Sequence, residues 1–275
     1  MRLRVLGVPI DPITVEEAVT RIVERAADPA SPAAYVVKPY VEFFGPRATP
    51  GTREAFDGAW LSLADGVAVQ WAAAYQRRPH HRTGDLLGSL AAIVLDPPSV
   101  TVVVPERVAG ATLTVALLGR CRDRDLGVFL VGSPKQVPIS HTAGHLQATF
   151  PGLRIVGTAP GQLDRSGEEA IVDALRRSRP DIVLVGVGFP LQERLMARWV
   201  RSLDHGVLIG EGGSFDYREL GGVIPRAPQR LRRLGLEWLW RLAREPSRLG
   251  RQRAIPRFVL DVHRDALARE RRRTA

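Results

Sequence analysis

The sequence predicts an α/β fold: a Rossmann-like, mostly parallel sheet flanked by helices, with a basic helical appendage at the C-terminal end. Three observations predict it. Short apolar runs alternate with segments of 3.6-residue periodicity through the first four-fifths of the chain, the pattern of strands covered by helices on both faces. Glycine- and proline-bearing turns follow several of these runs directly, as they do where a strand hands over to a helix. The charge is segregated: residues 218–275 hold 16 arginines and 6 acidic groups, whereas residues 1–217 balance at 23 of each sign.

The elements follow in order. Tyr35–Val37, Leu61–Leu63, Val100–Val104, Gly127–Val131, Arg154–Val156, Asp181–Gly186 and Val207–Ile209 read as buried strands. Val15–Ala27, Val67–Tyr75, Ala111–Arg120, Val137–Phe150, Glu168–Arg177 and Leu191–Ser202 read as helices. In such a sheet, ligands bind at the carboxyl ends of the strands. Three junctions at those ends suit a phosphate-bearing ligand, namely Ala64-Asp65-Gly66, Gly132-Ser133-Pro134 and Gly186-Val187-Gly188-Phe189-Pro190. Ser133 is expected to cap a helix that Pro134 begins, and Pro190 to begin another. Gly186-x-Gly188 lacks the third glycine of a dinucleotide fingerprint, which argues against an NAD-dependent oxidoreductase.

From Gln229 to Arg244 one helix is expected, with Leu231, Leu234, Trp238 and Leu242 on one face and arginines on the others. Phe258–Arg272 reads as a last helix ending in Arg269, Arg271, Arg272 and Arg273. A basic, tryptophan-bearing helix suits either a membrane interface or a packed surface position. The chain therefore divides into a core, 1–217, and an arginine-rich helical appendage, 218–275.

Composition narrows the function. The 275 residues carry 39 basic and 29 acidic groups, a net +10, with 45% hydrophobic residues; this excludes disorder, collagen and coiled coil. A single cysteine, Cys121, permits no intrachain disulfide and fits a reducing compartment. The apolar runs fall short of the roughly 18 residues of a spanning helix. Pro9 and Asp11 interrupt the first one too early for a signal peptide. A cytoplasmic protein fits these limits, either soluble or bound to a membrane surface without crossing it. The basic C-terminal end calls for an anionic partner: phospholipid, nucleic acid or a phosphorylated small molecule. No zinc, helix-turn-helix or RRM signature supports nucleic acid. His80 and His81, adjacent and without companion ligands, do not form a metal site.

A series of motifs adds to this. Ala64-Asp65-Gly66 is followed by Arg82-Thr83-Gly84-Asp85-Leu86, Val128-Phe129-Leu130-Val131-Gly132 and Phe150-Pro151-Gly152-Leu153. Then come Gly186-Val187-Gly188-x-Pro190-x-Gln192-Glu193, Gly212-Gly213-Ser214-Phe215-Asp216 and Arg226-Ala227-Pro228. Leu236-Glu237-Trp238-Leu239-x-Arg241-Leu242, Glu245-Pro246-x-Arg248 and Arg251 close it. In this order and spacing the sequence resembles the WecG/TagA/CpsF glycosyltransferase family, from about Val5 to Phe258.

The resemblance implies a Rossmann-like inverting glycosyltransferase that uses neither metal nor cofactor. Such enzymes move an N-acetylmannosamine-type sugar from a UDP donor to a polyprenyl-diphosphate-linked N-acetylglucosamine. They act at the cytoplasmic membrane face in wall teichoic acid, enterobacterial common antigen or capsule synthesis. It also implies that the appendage completes the site and touches an anionic membrane surface. It does not fix whether the chain forms a homo-oligomer. By the match, Asp65 is the base that takes the acceptor hydroxyl proton. Arg241, Arg248 and Arg251 are the appendage arginines that offset charge on the departing diphosphate. Gln192 is a pocket residue, and Thr83, Asp85, Gly132, Gly186, Gly188, Pro190, Glu193 and Arg226 complete the expected substrate-binding set.

Three departures stand out. Family members carry Thr-x-Asn after the second strand, where this sequence has Lys38 and Tyr40 in those places. Lys38 suggests an acidic donor sugar such as a uronic acid, and Lys38→Thr tests it by donor preference. The stretch from Asp85 to Phe129 reads about 25 residues longer than the family pattern, and Phe215–Gly222 about two residues longer. The changed positions also support an alternative, a member that binds nucleotide sugar or lipid-linked glycan without transfer. A remoter alternative is a nucleic-acid-binding protein using the arginine tail.

Overall fold

The computed structural model describes residues 2–134, 136–161, 164–233, 235–246 and 249–274. The chain opens with a hairpin that the sequence pattern does not reveal, β1 (Leu3–Val5) and β2 (Val8–Ile10). Leu6 and Gly7 both take positive φ, as a tight two-residue hairpin turn requires. Helix α1 (Val15–Ala27) starts at a capping box: Glu17 N donates to Thr14 Oγ1, and Thr14 N donates to Glu17 Oε2 at 2.8 Å.

The following elements are β3 (Ala34–Val37), a 3-10 turn (Val41–Phe44), α2 (Pro50–Asp57), β4 (Leu61–Ser62) and α3 (Val67–Tyr75). Then come α4 (Thr83–Leu95), α5 (Pro97–Thr101), α6 (Gly110–Asp123), β5 (Val128–Val131), α7 (Ile139–Thr149), β6 (Ile155–Ala159) and α8 (Arg165–Ser178). After β7 (Ile182–Val185), α9 (Leu191–Trp199) and β8 (Val207–Gly210), two 3-10 turns lead to α10 (Gln229–Arg233), α11 (Glu237–Arg244), α12 (Leu249–Gln252) and α13 (Ala254–Thr274).

Six strands form one parallel sheet in the order β4-β3-β8-β7-β5-β6. The middle strands are buried at every residue, which is why they read as unbroken apolar runs. Their side chains alternate between two cores. Val37, Phe129, Val131, Val183 and Leu208 pack with Trp71, Tyr75 and Trp199 on one face. Val36, Leu130, Ile182, Leu184 and Ile209 pack with Ile22, Leu113 and Leu117 on the other. Each large apolar side chain taken fully out of water contributes about 1.5–3 kcal/mol. The chain leaves β3 towards β4 at one edge, while β5 to β8 fill the other side. The strand order therefore switches between β3 and β8, where a crevice opens at the carboxyl ends.

Several expectations change. Val100–Val104 is not a strand. Pro97 and Pro98 occupy the first turn of α5, Val100 and Val104 are buried, and Val102 is exposed; proline at a helix start sets φ for the turn. Ser133 does not cap α7, which begins six residues later at Ile139, with Pro138 at its cap position. Pro190 does hold the cap position of α9. The single helix expected over 229–244 is broken at Gly235, whose φ is +72°. Leu234 and Arg248 lie outside the described residues, as do the side chains of Arg233, Arg251 and Arg273.

The last helix returns to the core. Phe258, Val262 and Ala266 of α13 are buried, with Phe258 against Phe44 and Trp71. Polar contacts run alongside: Tyr75 Oη to His263 Nδ1 at 2.8 Å, and Gln76 Nε2 donating to Asp265 Oδ2. His80 and His81 both turn to Glu270 from an irregular stretch before α4.

Candidate active site

The site is built on the switch point. Lys38 directly follows β3 and Glu211 directly follows β8. The register that sets Val36 beside Ile209 carries on to bring these two together. Lys38 Nζ lies 3.0 Å from Glu211 Oε1, and both side chains are buried. Glu211 Oε2 accepts from Thr114 Oγ1 of α6 at 2.6 Å. In a buried pair of this kind each charge compensates the other. Gly110 makes room for it: a Cβ there would stand 3.1 Å from Lys38 Nζ and 2.7 Å from Ser214 Oγ.

Asp65 follows the neighbouring strand β4. Its backbone N donates to Pro39 O at 3.0 Å, which ties the β4 exit to the β3 exit. Burial pushes the Asp65 carboxyl up to about 6, against the pull of Lys38 and Arg107; Glu237 and Glu211 add to the rise. Loss of solvation disfavours the charged form, so the proton is held to higher pH.

A second layer lies behind. Gln192, in the first turn of α9, accepts through Oε1 from Gly188 N and Gly212 N at 3.2 and 2.9 Å. It donates through Nε2 to Glu193 Oε1 at 2.7 Å. One amide thus joins the loops after β7 and β8. Glu193 is fully buried, and burial pushes it up to about 7 despite the Gln192 hydrogen bond.

Residues from the C-terminal part of the chain also line the cavity. Arg241 of α11 pairs with Asp216 and, at 2.8 Å, with Glu245, and its guanidinium lies 4.8 Å over the Tyr217 ring. Arg226 donates to Glu219, Glu237 and Thr112 at 3.0, 3.2 and 2.9 Å. Burial pushes Tyr217 up to about 12, with Arg241 opposing. The glycine before Ser214 lets Arg241 approach: a Gly213 Cβ would meet its guanidinium at 2.8 Å.

These groups surround a cavity of about 500 Å³. Of the residues expected from the sequence, the cavity collects Lys38, Tyr40, Asp65, Gln192, Arg226 and Arg241. Thr83 and Asp85 lie elsewhere, in the first turn of α4, where Asp85 Oδ2 accepts from Arg82 N. Gly132 packs under Ile139 and Gly186 under Phe215, where a Cβ would meet the side chain at 2.7 and 2.5 Å. Gly188, Pro190 and Glu193 are not among the residues that line it. Arg248 and the side chain of Arg251 are outside the described residues.

The structure adds Arg107, Glu211, Tyr217 and Glu237 to the wall. Arg107 sits in a stretch without periodicity; its only signal in the sequence is its place just before Gly110, where α6 begins. Gly186→Ala is expected to destabilise the protein by about 1–3 kcal/mol, because the Phe215 ring is buried and cannot retreat. Urea unfolding monitored by tryptophan fluorescence measures it.

Fold and site define a class: a doubly wound α/β protein with a charged cavity across the carboxyl ends of its strands. Within that class the chain belongs to the WecG/TagA/CpsF family of glycosyl transferases, whose family model matches residues 3–92 and 99–272. It is also similar to two curated relatives, each named N-acetylglucosaminyldiphosphoundecaprenol N-acetyl-beta-D-mannosaminyltransferase. The Bacillus spizizenii protein is 34% identical over 157 residues, and the Bacillus subtilis (strain 168) protein 34% over 158. Each match covers 57% of this chain and 59% of the relative.

Proposed function

We propose that this protein is an inverting glycosyltransferase. It moves an N-acetylmannosamine-type sugar from a UDP donor to a polyprenyl-diphosphate-linked N-acetylglucosamine. The observation that carries this reading is Asp65, a carboxylate poised near neutrality in a cavity rimmed by Arg107, Arg226 and Arg241. Membership of the family and the names of the two relatives support it.

In the reaction, the acceptor hydroxyl oxygen attacks the anomeric carbon while Asp65 takes its proton. The bond from that carbon to the diphosphate oxygen breaks, and the electron pair leaves with UDP. The arginines stabilise the charge that develops on the departing diphosphate. Arg226 and Arg241 are held in place by carboxylates, so they need little reorganisation as it forms. Lys38 is matched by Glu211, so an acidic donor sugar meets no uncompensated cation at that position.

Among the described residues no helix is long and apolar enough to cross a membrane. Contact with the lipid-linked acceptor is then peripheral, through the basic segment 218–275 and an anionic bilayer surface.

The test is UDP release with UDP-N-acetylglucosamine, UDP-N-acetylmannosamine or UDP-N-acetylmannosaminuronic acid. Each is tried with and without a short-chain polyprenyl-diphosphate N-acetylglucosamine, in EDTA. Acceptor-dependent release with the mannosamine donor is expected, and folded protein that is silent on the whole panel refutes the reading. The base works deprotonated, so kcat/KM is expected to rise with pH through an acid limb near 6.

A further inference from the structure

Helix α4 lacks the polar outer face that a surface helix ordinarily carries. Between Thr83 and Pro105 the charged residues are Asp85 and Asp96 alone. Leu86 and Ser89 face the core, and Leu90, Ile93 and Val94 line the cavity. Leu87 and Leu95 point outward, 64% and 82% exposed, and Val102, just beyond the adjoining α5, is 79% exposed. A helix that is apolar all round is normally buried in protein or in lipid. At 13 residues, α4 spans about 20 Å, too short to cross a bilayer but long enough to lie along one.

Two further observations indicate what covers it. Trp238 on α11 lines the same cavity as Leu90 and Ile93, and both Trp238 and its neighbour Leu239 are exposed. Ile255 and Val259 of α13 line it as well. The apolar strip thus continues from the outer surface to the wall that holds Asp65. The elements that form it also carry exposed cations: Arg82 at the head of α4, Arg244 on α11, and Arg253 and Arg257 around the start of α13. An apolar strip edged with arginine and tryptophan matches the boundary between acyl chains and anionic headgroups.

We propose that the outer face of α4, together with Trp238 and Leu239, seats this protein in the surface of an anionic bilayer. Seated so, the cavity mouth faces the membrane. An isoprenoid chain stays in lipid while its diphosphate-linked sugar reaches Asp65. The inference rests on the transferase reading for its purpose, but its test does not depend on turnover. It also differs from anchoring by the arginine tail alone, because it places the decisive apolar contact in the first half of the chain.

The experiment uses the full chain and the triple variant Leu87→Gln/Leu95→Gln/Val102→Gln, none of whose positions lines the cavity. Sedimentation with phosphatidylglycerol/phosphatidylcholine vesicles is expected to show affinity reduced by at least about tenfold. Turnover on a water-soluble short-chain acceptor is expected to be unchanged. Vesicle binding equal to that of the parent overturns the proposal. So does loss of a concentration-dependent dimer in the triple variant, with vesicle binding intact, because a second copy then covers the face. A second measurement does not depend on the triple variant folding. Cys121 is fully buried, so Leu95→Cys can be labelled selectively with an environment-sensitive dye. A blue shift on vesicle binding is expected, and an aqueous spectrum from vesicle-bound protein overturns the proposal. If the parent protein fails to turn over the soluble acceptor, the transferase reading falls, and the vesicle result stands separately.

Discussion

Asp65→Asn lowers kcat by about a thousandfold, within the range that a positioned general base supplies. The fold survives, because the position is held through the backbone bond from Asp65 N to Pro39 O, which the change leaves in place. The side chain keeps its size while shedding a poorly solvated charge, so the melting temperature stays level or rises. Donor binding is retained as well, since the arginines around the cavity are untouched. Single-turnover kinetics with the lipid-linked acceptor, read beside donor binding by calorimetry, separate these effects. Full activity in the variant removes Asp65 from the role of base.

Lys38→Met has the second large effect, on stability. It leaves Glu211 buried with a hydroxyl partner, Thr114, and no cation. Removing one member of a buried pair costs about 3–5 kcal/mol. Adding Glu211→Gln removes the orphaned charge and recovers much of that loss, and denaturant melts of both variants measure it. The change also reaches the chemistry. Lys38 pulls the Asp65 pKa down, so without it the acid limb of kcat/KM moves to higher pH. Glu211 pushes the other way, and Glu211→Gln alone moves the limb lower. A limb that ignores both changes would separate this pair from the base.

Much of the sheet is legible because its strands are buried on both sides. Val183 and Leu184 face different cores, yet each must be apolar, so the run is continuous. Helices α1 and α3 end where the periodic pattern ends, since both carry one apolar face or none that conflicts with it. Helix α4 escapes because periodicity needs contrast, and Leu86, Leu87, Leu90 and Val94 point in several directions without it. The run at Val100–Val104 misleads because β-branched residues also suit a turn pinned by Pro97 and Pro98. Within the site, Asp65 is readable from its turn and its motif, and Arg241 from the family resemblance alone. The partner of Lys38 is not. Glu211 lies far along the chain, and the two meet because β3 and β8 are neighbours, a fact of strand order that no local pattern carries.

Helix α13 has a consequence of its own. Val259 belongs to the cavity wall and the residue before it, Phe258, to the hydrophobic core beside Trp71. One rigid rod therefore serves as a crossbeam for two rooms. It cannot lift from the cavity without also uncovering α3, nor slide along α3 without reshaping the cavity. Opening on this side is a single cooperative event. Amide exchange in α3 should slow in step with ligand occupancy, although most of that helix never touches the ligand.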